Sequence, residues 1–229
     1  MTHPEPTLLL TRPEPQSRDF LEMCQMRAGR ALPAVISPIL RIEPTGAVPE
    51  LDRFDTIILT SANAVTCLAD RADLTGRTVV TVGARTAEAA RDAGAVATML
   101  GQDASELIAA AYRIEGRAVF CRGAHSRGEI ARHLRDRGVT VEEVVIYDQV
   151  EQPLSSAAKA LFKGKRPIIV PLFSPRSASI LANQAEIDAP LTLVAMSNNV
   201  AAAWSGPGRI LVAASPTADG MCDVVIAEF

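Results

Sequence analysis

The chain has 229 residues, of which 48% are hydrophobic and 21% charged, with 23 basic and 26 acidic side chains and a formal net charge of −3. That length allows one large or two small domains at roughly 150 residues each, and the composition is too apolar for disorder. No apolar run approaches the roughly 18 residues of a membrane span, and the opening Met1-Thr2-His3-Pro4-Glu5-Pro6 has no basic segment followed by an apolar one, so neither a membrane protein nor a secretory leader is expected.

Short apolar strands alternate with amphipathic helices, the pattern of an α/β protein with parallel sheets. Residues 7–11 read as a strand, 17–28 as a helix with Phe20, Leu21, Met23 and Cys24 interspersed, and 34–36 as a second strand. Strands follow at 55–60 and 78–82, with helices at 62–69, 86–93 and 104–113. The second half repeats the theme. Strands are expected at 117–120, 144–150, 167–170, 191–195 and 209–213, and helices at 127–137, 175–184, 200–204 and 219–228.

Three segments recur at nearly one spacing. Leu10-Thr11-Arg12 with Ser17 resembles Phe120-Cys121-Arg122 with Ser126. The segment Leu59-Thr60-Ser61-Ala62 resembles Phe173-Ser174-Pro175, and Val82-Gly83-Ala84-Arg85-Thr86-Ala87 resembles Met196-Ser197-Asn198-Asn199-Val200-Ala201. Arg12 and Arg122, Ser61 and Ser174, and Gly83 and Ser197 lie 110, 113 and 114 positions apart, which points to a duplicated half. Each segment is a buried strand, a small polar residue, a turn and a helix. In open α/β sheets ligands bind beyond the carboxyl ends of the strands, where the first-turn N–H groups of the following helices favour anions. The same hydroxyl and amide side chains also serve as helix N-caps.

The charge does not suit an electrostatic nucleic-acid binder: residues 43–143 carry 12 basic and 15 acidic side chains, the rest 11 and 11. Twenty of the 23 basic residues are arginines, which suits a ligand rich in carboxylates because guanidinium grips them bidentately. Cys24, Cys67, Cys121 and Cys222 form no CxxC pair and histidines number three, so neither a zinc site nor a disulfide framework is expected, and the thiols read as small buried hydrophobes.

Several segments, kept in order over essentially the whole chain, resemble one family. They are Thr11-Arg12-Pro13; Ile58-Leu59-Thr60-Ser61-Ala62-Asn63-Ala64-Val65; Val82-Gly83 through Thr86-Ala87 with Gly94; Val145-Ile146-Tyr147; Phe173-Ser174-Pro175-Arg176-Ser177-Ala178; and Ser215-Pro216-Thr217 with Gly220-Met221. The family is uroporphyrinogen-III synthase.

The resemblance implies two Rossmann- or flavodoxin-like parallel-sheet domains joined by a two-stranded β-ladder. One domain is discontinuous, 1–36 with 151–229; the other spans 43–143; and 37–42 and 144–150 are the crossing strands. Periodicity alone would cut the chain near residue 115. The resemblance also implies the reaction. Hydroxymethylbilane, a linear tetrapyrrole with eight carboxylates, loses water and closes with inversion of its last pyrrole ring, without metal or organic cofactor. The expected partner is this small molecule, with no nucleic acid and no membrane, and the protein is expected to be a cytoplasmic monomer.

On the same resemblance Tyr147 is the candidate acid or water-orienting residue, although a phenol with a pKa of about 10 is a poor proton donor at neutral pH. Thr60, Ser61, Asn63, Gly83 and Thr86 on one domain, and Ser174, Ser177, Ser197 and Asn199 on the other, are the candidate substrate-binding residues. Arg12, Arg122, Ser126 and Arg127 are candidate carboxylate partners. His125 reads as an exposed loop residue. One departure stands out: Ser197 and Val200 occupy positions where the family has Gly and Thr, and Asn198 or Asn199 could cap the helix instead. Two other readings stay open, a non-catalytic two-domain binder of a tetrapyrrole or another polyanion, and a hinged small-molecule sensor.

Overall fold

A computed structural model describes residues 4–125, 129–184 and 186–229. The chain divides into two compact units, Met1–Arg41 with Val150–Phe229, and Ile42–Gln149. It opens with β1 (Thr7–Leu10), α1 (Glu14–Ala28) and β2 (Ala34–Ile36), and β3 (Leu40–Pro44) carries it into the second unit. There follow β4 (Thr56–Leu59), α2 (Ala62–Ala69), β5 (Thr78–Val82), α3 (Ala84–Asp92), β6 (Val96–Gly101), α4 (Ala104–Ala109), β7 (Arg117–Gly123), α5 (Ile130–Asp136) and β8 (Thr140–Glu151). The first unit resumes with α6 (Ser156–Phe162), β9 (Ile168–Leu172), α7 (Pro175–Gln184), β10 (Leu191–Ala195), α8 (Asn198–Ala202), β11 (Arg209–Val212) and α9 (Ala218–Ala227).

The sheet of the first unit has the strand order β11-β10-β9-β1-β2, with its pairs parallel. In the second unit the order is β3-β8-β7-β4-β5-β6, and the pairs from β8 through β6 are parallel. The repeat seen in the sequence maps onto these orders strand for strand. Arg12 and Arg122 follow or end β1 and β7; Ser61 and Ser174 follow β4 and β9; Gly83 and Ser197 follow β5 and β10. Laid on one another, β6-β5-β4-β7-β8 matches β11-β10-β9-β1-β2 at every place. The two sheets therefore share one topology, begun at different points along the chain.

Helices cover both faces of each sheet, which is why the strands read as continuous apolar runs. In the first unit Leu9, Val170 and Leu193 pack with Phe162 of α6, Leu181 of α7 and Trp204. The alternate residues Leu8, Leu10, Ile169 and Val194 pack with Phe20 and Cys24 of α1 and Met221 and Val225 of α9. In the second unit Ile57, Leu59, Val79 and Cys121 meet Val65 and Leu68 of α2, while Ile58, Val80 and Phe120 meet Leu107 of α4 and Leu134 of α5. Successive strand residues point to opposite faces, so each strand feeds two cores. All four cysteines are free and buried.

Several expectations need correction. Helix α1 begins at Glu14 rather than 17, because Pro15 falls in the first turn, where its missing N–H costs nothing. Gly83, at φ +75°, provides the turn that lets α3 begin at Ala84 rather than 86. The helix expected over 104–113 ends at Ala109 and gives way to a 3-10 turn at Ala111–Arg113. Strand β6 and helix α6 were not anticipated. The start expected for the helix at 127 lies outside the described residues. The strand expected over 144–150 is longer: β8 runs for 12 residues, and its part from Thr140 to Tyr147 pairs with β7. Among the described residues no helix is long and apolar enough to cross a membrane.

Candidate functional site

The order of each sheet reverses at one place. In the second unit β4 and β7 are neighbours while their connections leave in opposite directions, and in the first unit the same holds for β9 and β1. The carboxyl ends of the strands at such a reversal are the usual ligand position in open sheets of this kind.

In the second unit that point is bounded by Thr60-Ser61 after β4 and by Gly123 at the end of β7. Tyr147 reaches it from β8, the strand beyond β7. A β-bulge makes this possible. Arg122 pairs with Val145, but Gly123 pairs with Tyr147, which leaves Ile146 as an extra residue. A bulge re-aims the side chains that follow it. Here Ile146 and Tyr147 both join the cluster containing Cys67, Cys121 and Val65.

The bulged backbone does not go unsatisfied. The carbonyl of Ile146 accepts from Thr45 N at 3.0 Å and from Arg71 Nη2 at 2.7 Å. Thr45 Oγ1 donates to the Val145 carbonyl at 2.7 Å, and Ala124 N donates to the Tyr147 carbonyl at 2.9 Å.

The Tyr147 ring is 5% exposed, and its hydroxyl lies 3.4 Å from Ser61 Oγ. Burial pushes the phenol pKa above its usual value, the Ser61 contact pulling weakly the other way. The group therefore stays protonated through the neutral range. It is suited to donating a hydrogen bond or orienting water, not to releasing a proton. Ser61 is also the N-cap of α2, accepting from Asn63 N at 3.1 Å. Gly83 caps α3, and Thr86 one turn on is buried. The second unit thus joins Tyr147, Ser61 and the start of α2 at the β4–β7 reversal, with Gly83 and Thr86 after the neighbouring strand β5.

Of the expected carboxylate partners, Arg122 already has an anion beside it. Arg122 pairs with Glu143 on β8 and donates from Nη1 to the carbonyls of Gly123 at 2.8 Å and Ala124 at 3.3 Å, so its guanidinium is spent on its own turn. Arg12 stacks over the Phe173 ring at 4.3 Å, and Phe173 meets Phe20 edge-on at 5.1 Å. Ser126 and Arg127 lie outside the described residues. His125 Nε2 is 3.2 Å from Asp148 Oδ1 in a half-exposed pair.

In the first unit Arg12 and Phe173 occupy the β1–β9 reversal. Beside them Ser174 Oγ accepts from Ser177 N at 3.1 Å, and the two hydroxyls are 2.8 Å apart. After β10, Ser197 caps α8 by accepting from Val200 N at 3.4 Å. The cap is thus Ser197, not Asn198 or Asn199, which are exposed. Val200 is 1% exposed and packs in the core, so a hydroxyl there would face no partner on that side.

Sequence reasoning did not single out three residues that shape these places. Gly123 underlies the tyrosine ring, Arg71 holds the bulge, and Phe173 carries Arg12. A glycine at the end of a strand was a usable signal for a close approach. Nothing local marks Arg71 for this task, since its partners Thr45 and Ile146 lie 26 and 75 positions away. Among the described residues no group of three or more His, Cys, Asp or Glu could hold a metal ion.

Comparison with known proteins agrees with this anatomy. No curated protein matches the sequence significantly. The structure is similar to that of uroporphyrinogen-III synthetase from Helicobacter pylori, with TM-score 0.68 and 14% identity over 97% of this chain and 99% of that one. It is also similar to a mutant uroporphyrinogen III synthase from Thermus thermophilus, with TM-score 0.51 and 15% identity over 97% of this chain and 98% of that one. At such identities these likenesses speak for the fold. The family model for uroporphyrinogen-III synthase, HemD, matches residues 28–223, and the chain belongs to the uroporphyrinogen-III synthase family.

Proposed function

We propose that this chain performs the family's reaction, the cyclising dehydration of hydroxymethylbilane to uroporphyrinogen III, with Tyr147 as the polar group nearest the chemistry. The observation that carries the reading is the family match over residues 28–223. The enzyme is accordingly a cyclising hydro-lyase of tetrapyrrole biosynthesis.

The chemistry asks little of any single side chain. The pyrrole nitrogen pushes out its own hydroxymethyl oxygen, which leaves as water with a proton drawn from solvent, so a hydrogen bond that orients the leaving hydroxyl is enough. A protonated phenol offers that bond. The harder task is to hold the resulting cation in the shape that inverts the last ring before the chain closes directly. That is a matter of positioning.

In this reading Thr60, Ser61, Asn63, Gly83 and Thr86 hold acetate and propionate arms at the helix starts of the second unit. Ser174, Ser177, Ser197 and Asn199, with Arg12, do so in the first. Exposed first-turn N–H groups favour such carboxylates. The same reading makes the chain's passages inside β3 and β8 the two-stranded link between two domains, one of them discontinuous, and the protein a cytoplasmic monomer.

The test is isomer analysis. Purified protein given freshly made hydroxymethylbilane is expected to yield the type III product. Only type I, the spontaneous isomer, would overturn the reading in favour of a non-catalytic tetrapyrrole binder.

A further inference from the structure

We infer that Gly123 is a positioning residue for the cyclisation: its missing side chain is the space in which the Tyr147 ring lies, which lets the phenol pass over β7 and reach Ser61, just after β4. This rests on the reading of Tyr147 given above.

The geometry is specific. A methyl group built on Gly123 would stand 2.5 Å from Tyr147 Cζ, 2.6 Å from Cε2 and 2.9 Å from the hydroxyl oxygen. All three nearest atoms belong to the one ring. Contacts that short do not occur, so the ring or the strand would have to move.

Backbone freedom does not explain the glycine. Gly123 is absent from the positive-φ residues of the chain, so any L-residue could adopt its conformation. The reason for a glycine there is the ring above it.

The strand cannot yield easily. The Tyr147 carbonyl is held by Ala124 N, and the preceding carbonyl by Thr45 N and Arg71. With the backbone pinned on both sides of the bulge, an added methyl must push the ring off Ser61. The bulge aims the phenol, and the glycine clears its path. Together they bring a group from β8 to the β4–β7 reversal, two strands away from its own.

The test separates position from catalysis. The protein has two tyrosines, and Tyr112 is 85% exposed, so 13Cζ-tyrosine labelling yields one reporter and one internal standard. In Gly123→Ala the Tyr147 resonance is expected to shift toward that of an exposed tyrosine while Tyr112 stays put. Type III formation should fall by about tenfold or more, with a larger share of type I. Tyr147→Phe should show the same loss, and the double variant Gly123→Ala/Tyr147→Phe should be no slower than Tyr147→Phe alone.

An unmoved Tyr147 resonance in Gly123→Ala overturns the inference, whatever Tyr147→Phe does. A shifted resonance together with full activity in Tyr147→Phe overturns the catalytic reading of Tyr147, and with it any part for Gly123 in turnover. If Gly123→Ala does not fold, Gly123→Ala/Tyr147→Ala decides: recovery of the fold supports the clash with the ring, and continued failure overturns it.

Discussion

Arg71 donates from Nη2 to the carbonyl of Ile146 at 2.7 Å, and Ile146 is the extra residue of the β8 bulge. The same guanidinium donates to the carbonyls of Cys67 at 2.8 Å and Thr45 at 2.6 Å. One side chain therefore ties the end of α2, the segment after β3 and the bulge together, immediately beside Tyr147.

Arg71→Ala would take a donor from three part-buried carbonyls, of which that of Ile146 keeps Thr45 N. A loss of about 2–4 kcal/mol is expected, read as a lower midpoint in urea unfolding. Type III formation should fall in the same variant, because the bulge beneath Tyr147 loses its clamp. Arg71→Lys should recover only part of the stability, since an ammonium cannot present the same fork of donors. Wild-type stability in Arg71→Ala would refute this account.

Val200→Thr introduces the hydroxyl that the sequence resemblance implies at this place. Because Val200 is 1% exposed in the core and Ser197 already caps α8, the added hydroxyl is expected to destabilise by about 1 kcal/mol and to leave the rate of type III formation unchanged. A faster enzyme would show that this position faces the substrate after all. The measurements are a urea melt and the isomer assay.

Thr81 on β5 is fully buried, and its Oγ1 has no hydrogen-bond partner. Val has the same shape without the orphaned oxygen. Thr81→Val is therefore expected to stabilise by about 1 kcal/mol, raising the melting temperature by about 2–4 °C. A fall in melting temperature on calorimetry would show that the hydroxyl has a role in the folded state.

Alkaline pH should weaken the fold. Burial raises the Cys121 thiol from 9.0 to about 12, and it raises Cys24, Cys67 and Tyr147 as well. Groups whose pKa is higher folded than unfolded hold their protons in the native state. Their contribution is complete below about pH 9, where the unfolded thiols ionise, and is lost as pH rises through the folded value near 12. Urea midpoints are expected to decline from about pH 9 upward, and less steeply in Cys121→Ala. A flat profile to about pH 11 would contradict the assignment.

The α/β class, most strands and the internal repeat were legible in the sequence because they depend on local pattern. Residues such as Leu8, Leu9 and Leu10 form an unbroken apolar run since both faces of their sheet are covered. The spacing of Arg12 from Arg122 and of Ser61 from Ser174 recorded the shared topology directly, as equivalent strands sit at equivalent places in the two sheets. Elements with weak local signals were not legible. Val96–Gly101 is an edge strand with an alternating, half-exposed pattern, and Ser156–Phe162 is a seven-residue helix stabilised by packing of Ala158 and Phe162. Family motifs marked Tyr147 and Ser61, which lie 86 positions apart, but nothing in either segment says that they meet. Only the tertiary structure decided that. A one-residue bulge, a strand-end glycine and an arginine from the turn after α2 turn the tyrosine toward the sheet reversal, and each acts across elements that become neighbours only when the sheet assembles. The same assembly decided that Arg122 is consumed by Glu143, because a cation's availability depends on which anions folding brings beside it.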